Sequence, residues 1–248
     1  MVSDAKVFWE QRGQRGDSAL SVTPGATSER RVAWARARLQ NWTLERLHRH
    51  ARFDHYVDLG CGFGDFTAVL GREARRITAC DVSPAFVEAA RSRLAAIGRA
   101  DARVDVSDVR SFVDYQDASI IYFGGVMTYL DDDGVRSVLQ TASERLTPGG
   151  IIAARDWCAV RFGRETTNQQ PWFSVHRRPE SYVRLFREAG FELVEEASSL
   201  VMYAEQVVRE GLHNEPATTA VAWLPKLLAS ASLSLMTRCS VSFVYRRM

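Results

Sequence analysis

The residues best suited to chemistry in this chain are glycines and carboxylates standing at the ends of short apolar runs. The first group is Asp58-Leu59-Gly60-Cys61-Gly62-Phe63-Gly64. Glycines directly after a strand allow a tight turn and let a ligand press against bare backbone. The helix that follows offers its N-terminal amides at the same place. Asp81 closes the next apolar run, 21 positions after Gly60. That is close to the spacing at which an acid meets a ribose in nucleotide-binding α/β folds. Asp108 closes a third run, where a carboxylate can accept from an adenine amino group. Taken singly, the glycines can make a plain turn and each acid can cap a helix. As an ordered set at successive strand ends they describe an adenosine site. The dinucleotide pattern GxGxxG is replaced by GxGxG, and GxxxxGK[ST] is absent, which argues against ATP.

The elements that must position these residues alternate. Strand patterns are read at Tyr56 to Leu59, Ile77 to Cys80, Val104 to Val106, Ser119 to Phe123 and Ile151 to Ala154, with two more at Glu192 to Glu195 and Ser240 to Tyr245. Helical spacing is read between them. Asp65 to Arg72 is one such helix. Another begins at Ser83-Pro84, an N-cap followed by proline in the first turn. Asp131 to Arg145 buries Val135, Val138, Leu139 and Ala142, and a helix opening at Pro179 buries Tyr182, Leu185, Phe186 and Ala189. Upstream, Val32, Ala35, Leu39 and Trp42 recur at helical spacing, with Ser28 as N-cap and with Arg30, Arg31, Arg36, Arg38, Arg46, Arg49 and Arg52 forming a wet face. Strands alternating with helices predict a parallel sheet covered on both faces, with ligands bound outside the carboxyl ends of its strands.

This arrangement resembles the class I S-adenosylmethionine-dependent methyltransferase family from about Tyr56 to Gly150, and more loosely to the C-terminal strands. The glycine segment resembles the family's first motif. Asp81-Val82-Ser83-Pro84 is similar to its ribose loop and Val106-Ser107-Asp108-Val109 to its adenine loop. Ile121 to Leu130 resembles the fourth motif, and Leu146-Thr147-Pro148-Gly149-Gly150 the turn before the fifth strand. The resemblance implies a mostly parallel, doubly wound, seven-stranded Rossmann-like α/β sheet with helices on both faces and an antiparallel last strand. It implies S-adenosylmethionine as cofactor and S-adenosylhomocysteine as product. The cofactor-binding positions would be Asp58, Gly60, Cys61, Gly62, Asp81, Val82, Asp108, Val109, Phe123 and Gly124. The methionyl end would lie on Gly60 to Gly62 and Phe123-Gly124, and Val82 and Val109 would flank the adenine.

For the acceptor side the chain offers few bases. His176 lies in Phe173 to Pro179, read as a loop after the fifth strand, and an imidazole is a side chain suited to proton removal near neutral pH. Asp156, read as directly following that strand, can orient a substrate or a base, or cap a turn. These two bases favour oxygen over nitrogen as the methylated atom. Tyr129 is read as packing, Cys61 as a small packing residue, and Arg177-Arg178 as either an anion grip or a solvated pair. Residues 1–50 are read as a helical lid ahead of the domain at 51–248. Phe8 and Trp9 would fold over the cofactor or plug the sheet. A helical insert at about 200–238, with Trp223 and Met236, would shape the acceptor pocket or a dimer surface.

The 248 residues carry a net charge of +2, which gives no strong attraction to nucleic acid or anionic membrane. Phe123-Gly124-Gly125 replaces the Asn/Asp-Pro-Pro of base-amine methylases. A small-molecule, natural-product-like acceptor is therefore expected, with a homodimer an open option. His48, His50 and His55 have no partners at metal-ligand spacing, so no metal is expected. Cys61, Cys80, Cys158 and Cys239 form no CxxC pair, there is no signal-peptide core, and Leu227 to Met236 is too short to span a membrane. A cytoplasmic setting follows. A cofactor-binding protein without catalysis, and a cyclase or decarboxylase on the same fold, are the competing classes.

Overall fold

The computed structural model describes residues 3–16, 29–159, 164–168, 173–198 and 238–248. In chain order these form α1 (Ser3–Gly13), α2 (Glu29–His50), β1 (His55–Leu59), α3 (Asp65–Leu70), β2 (Arg76–Asp81), α4 (Pro84–Ala96), β3 (Arg103–Val106) and β4 (Ala118–Gly124). A single 3₁₀ turn at Met127–Tyr129 leads to α5 (Asp132–Arg145), β5 (Leu146–Ala159), β6 (Thr166–Asn168), β7 (Ser174–His176), α6 (Pro179–Glu188), β8 (Phe191–Ser198) and β9 (Arg238–Arg247). The Ser28 cap, the glycine-rich stretch before it and the insert expected at about 200–238 lie outside the described residues, apart from the start of β9.

Seven strands make one sheet in the order β3-β2-β1-β4-β5-β9-β8. The first five are parallel neighbours, and β9 runs antiparallel between β5 and β8. Strand order reverses between β1 and β4, which opens a crevice at their carboxyl ends. Side chains alternate between two cores, as the period of a strand requires. Val57, Leu59, Ile121, Phe123, Ile152, Ala154 and Tyr245 join one core with α5 and α6. Tyr56, Ile120, Tyr122, Ile151, Ala153 and Val244 join the other with α2, α3 and α4. The helix starts follow the expected caps: the Ser83 hydroxyl accepts from the Phe86 amide at 3.4 Å, and the Asp131 carboxylate from Gly134 at 2.8 Å.

Two readings are corrected. The fifth strand continues past Ala154 to Ala159, because β9 pairs with it from Ile151↔Arg246 through Ala159↔Arg238 and so carries the ladder beyond the apolar run. Asp156 therefore sits inside a strand. The stretch around His176 is a two-stranded ribbon, with Thr166↔His176, Thr167↔Val175 and Asn168↔Ser174 in register, and not a loop. The basic face of α2 is also only partly wet. Arg36 makes a two-pronged ion pair with Asp65 (2.7 and 2.6 Å), to which Gln40 adds a bond of 3.0 Å. Arg46, buried, reaches Glu195 at 3.1 Å beside His50 at 2.8 Å. These contacts tie α2 to α3 and to β8. Among the described residues no helix is long and apolar enough to cross a membrane.

Gly64 ends the first loop at φ +77°, and a Cβ there would stand 2.8 Å from Ala90 Cβ and 2.9 Å from Ala90 Cα on α4. Both the dihedral and the close approach require glycine. Gly64→Ala should destabilise the fold by about 1–3 kcal/mol, lowering the thermal midpoint by roughly 2–4 °C per kcal/mol in a chain of this size. A thermal melt followed by circular dichroism checks this, and an unchanged midpoint would refute the packing argument.

Candidate active site

The carboxyl edge of the sheet gathers the loops after β1, β2, β3, β4 and β5. Gly60 turns at φ +85°, and its amide and that of Cys61 both donate to the Cys80 carbonyl at 2.9 Å, so the first loop folds back onto the end of β2. A Cβ on Gly60 would run into the Val126 side chain, which makes the loops after β1 and β4 a fitted pair. At the end of β2, Asp81 Oδ2 accepts from the Gly62 amide at 2.9 Å and Oδ1 from the Ser83 amide at 3.0 Å. One carboxylate thus joins the glycine loop to the start of α4. A carboxylate has about four lone-pair sites, so capacity remains to accept from a neighbour. Burial pushes the Asp81 carboxyl up to about 6, against the pull of its backbone amides.

The other expected site residues fall into two groups. Asp58 is almost wholly enclosed, and its Oδ2 accepts from the Thr67 hydroxyl at 2.6 Å. Burial raises its carboxyl to about 7. It braces the glycine loop against α3. The Phe123 side chain is fully buried in the α5–α6 core, so only its backbone faces the edge. Cys61 is buried and its thiol is pushed up by burial, consistent with packing. Val82 and Val109 flank the loops after β2 and β3, the first half-buried and the second buried. Asp108 is half-exposed and paired: its Oδ1 accepts from the Arg110 amide and Nε, both at 2.9 Å, and its Oδ2 from Arg110 Nη2. The Arg110 hydrogen bonds hold its carboxyl below the usual value. Three of about four lone-pair sites are taken, leaving one. Gly124 lies beside the Tyr122 ring, 2.8 Å from where its Cβ would stand.

The residues expected on the acceptor side gather around the 3₁₀ turn. Asp156 is 1% exposed, and its Oδ1 accepts from the Thr128 amide at 3.2 Å. Burial raises it to about 7. It therefore holds Thr128 from beneath instead of facing the rim. The Thr128 hydroxyl donates to the Val175 carbonyl at 3.0 Å, which docks the ribbon carrying His176 on the turn. Arg177, read as solvated or anion-gripping, is 1% exposed and does neither. It donates to Asp132 (2.8 Å) and to the Met127 and Leu130 carbonyls (3.0 and 2.7 Å), closing the turn from the far side. Arg178 is exposed and pairs with Glu165. Asp58, Asp81 and Asp156 all have carboxyls raised above their ordinary 3.8. The fold binds protons more tightly than the unfolded chain, so the stability they give is greatest at low pH and is lost as pH rises through about 6 to 7.

α1 lies across this edge. Trp9 meets Tyr129 edge-on at 5.2 Å and Phe86 at 6.4 Å, with Phe8 5.1 Å behind it. Gly13 comes so close to the Ser83 side chain that a Cβ there would collide. Sequence reasoning missed Thr67 and Arg155, and took Val126 and Thr128 only as members of the Ile121 to Leu130 motif. Only Arg155 carried a signal, a charge directly after the apolar run Ile151-Ile152-Ala153-Ala154. The three histidines set aside as metal ligands have local partners: His48 meets Glu73, His50 meets Glu195, and His55 meets Thr78 and Gln116.

This geometry accords with what the chain is similar to. Residues 57–152 match the family model described as a methyltransferase domain. A carboxy-S-adenosyl-L-methionine synthase of Chromohalobacter salexigens is 36% identical over 111 residues, 42% of this chain and 40% of that protein. A trans-aconitate 2-methyltransferase of Shigella dysenteriae is 26% identical over 197 residues, 75% of each chain. The chain thus spans well under half of the first relative and three quarters of the second. The fold is that of the geranyl diphosphate C-methyltransferase from Streptomyces coelicolor A3(2), crystallised with S-adenosyl-L-homocysteine. That match has a TM-score of 0.63 at 15% identity and covers 91% of this chain and 86% of that one. The doubly wound sheet with its antiparallel β9, the GxGxG loop clamped by Asp81 at the switch point and these relatives together support a class I S-adenosylmethionine-dependent methyltransferase domain over residues 57–152, with S-adenosylmethionine as its cofactor.

Proposed function

We propose that this chain transfers the methyl group of S-adenosylmethionine to an oxygen of a small-molecule acceptor. The observation that carries the reading is the Asp81 clamp. A carboxylate with lone-pair capacity left stands against a glycine-rich loop at the crevice of the sheet. The residues fit the cofactor. Asp81 would accept from the ribose hydroxyls, Asp108 would give its last lone-pair site to the adenine amino group, and Val82 and Val109 would flank the ring. Gly60, Cys61 and Gly62 with the backbone of Phe123 and Gly124 would hold the methionyl end, braced from behind by Asp58. The cofactor supplies an electrophilic methyl group, so the protein's main task is to orient the acceptor.

His176 is the proposed general base, brought to the turn by the Thr128–Val175 bond. Asp156 is a positioning residue, because its carboxylate is enclosed and acts on the Thr128 backbone. α1, with Trp9 at its centre, is the lid. Oxygen is favoured because His176 offers a base for an acceptor that arrives protonated. The trans-aconitate named in one relative is a polycarboxylic acid, whose heteroatoms are all oxygen. The buried thiols of Cys61 and Cys80 suit a reducing, cytoplasmic setting. The synthase relative supports a second reading, in which the same cofactor is consumed without methyl transfer. Release of S-adenosylhomocysteine in step with methylated product distinguishes the two.

Two outcomes are expected. In calorimetric titrations with S-adenosylhomocysteine, Asp81→Ala should abolish saturable binding while the protein stays folded. Wild-type affinity should be flat above about pH 7 and fall below about 6, by up to about tenfold per pH unit as the carboxylate is protonated. Asp81→Asn should bind more weakly with no such dependence. Normal binding by folded Asp81→Ala would sink the assignment. His176→Ala should lower kcat by about 10²- to 10⁴-fold with S-adenosylhomocysteine affinity unchanged. Unaltered turnover would return His176 to a packing role.

A further inference from the structure

We infer that Arg155, in β5 opposite Gly124 at the carboxyl end of β4, is a carboxylate-binding residue shared between the glycine loop and the acceptor side. The inference rests on the proposed methyltransferase reading and adds to it a ligand chemistry. Several half-buried or buried arginines of this fold meet a carboxylate: Arg36 pairs with Asp65, Arg46 with Glu195, Arg110 with Asp108 and Arg177 with Asp132. Arg155, half-buried, meets none within ion-pair distance among the described residues. Its single hydrogen bond is a long one, from Nε to the Tyr122 hydroxyl at 3.4 Å, and its Cζ lies 5.1 Å from the Phe66 ring centroid. Five N–H donors in a rigid fork are thus left with one partner.

The nearby acids are committed elsewhere. Asp65 is held by Arg36 and Gln40, and Asp156, the next residue in the strand, points to the opposite face and is used by Thr128. Taking a guanidinium partly out of water without a counter-charge is costly. The surroundings of this one leave room for an incoming anion. Gly124 and Gly125 carry no side chains, and a Cβ at Gly125 would still stand 4.0 Å from Arg155 Nη2. Phe66 is the second residue of α3, directly after the glycine loop. The fork is therefore placed where two carboxylates could reach it, that of the cofactor's amino-acid tail or that of an acidic acceptor. A planar carboxylate matches it in two-pronged geometry.

The test is calorimetry on the full chain, Arg155→Met and Arg155→Lys. The probes are S-adenosylhomocysteine, 5′-methylthioadenosine (which lacks the carboxylate-bearing tail) and, with S-adenosylhomocysteine present, trans-aconitate. Arg155→Met should weaken one carboxylate probe by at least about tenfold and leave 5′-methylthioadenosine untouched. Loss on S-adenosylhomocysteine assigns the fork to the cofactor tail, and loss on trans-aconitate assigns it to the acceptor. Arg155→Lys, which keeps the charge but not the fork, should recover only part of the affinity. It answers the same question if Arg155→Met does not fold. Affinities for both carboxylate probes within twofold of wild type, or no binding of trans-aconitate by any form with S-adenosylhomocysteine unaffected, would overturn the inference. Failure of the wild-type chain to bind 5′-methylthioadenosine would instead strike the adenosine site itself.

Discussion

A sheet packed on both faces leaves one place for polar work, the ends of its strands, and the rest of this molecule follows from that. Along the central strands the buried apolar residues alternate between the two cores, strictly enough that Tyr122 and Phe123, adjacent in sequence, lie in different ones. The same alternation sends Arg155 and Asp156 to opposite faces as β5 leaves the apolar run. One guanidinium is thereby turned toward the glycine loop and one carboxylate toward the 3₁₀ turn. Two neighbouring charges acquire separate tasks from backbone geometry alone.

At the edge itself the recurrent device is a carboxylate spent on backbone amides. Asp81 ties the glycine loop to α4, Asp156 holds Thr128, and Asp131 caps α5. Asp58 does the equivalent work on a hydroxyl. Burying such groups costs stability above about pH 6 to 7, and what is gained is a loop system whose amides are fixed before any ligand arrives. Preorganised donors and acceptors lose little on binding, which is where affinity and rate are recovered.

Much of this was legible in the sequence, for identifiable reasons. The GxGxG loop, Asp81 and the Ser83-Pro84 start of α4 are local signals, set by dihedral limits and capping chemistry within a few residues, and they appear where they were read. The alternation of elements gave the parallel sheet. The misreadings share a cause: partners distant in sequence decided the outcome. β5 runs to Ala159 because β9, some 80 residues later, pairs with it. Arg177 is an internal strut because Asp132 and the carbonyls of Met127 and Leu130 are brought to it by the turn. Arg36 and Arg46 are seam residues because α3 and β8 carry the matching acids. A stripe of arginines on a helix reads as solvated until the rest of the chain supplies their partners.

α1 has a consequence for traffic. Trp9 rests on Tyr129 and Phe86, and Gly13 is pressed against Ser83, so the helix spans the mouth between the second and fourth loops. As the proposed lid, it would have to be displaced before a molecule seats there. Association would then be timed by detachment of the helix and not by the frequency of encounters, and raising the ligand concentration would bring the observed rate to a plateau. The same gate would act on departure, so the residence time of a spent cofactor would depend on the contacts of Trp9 and Gly13.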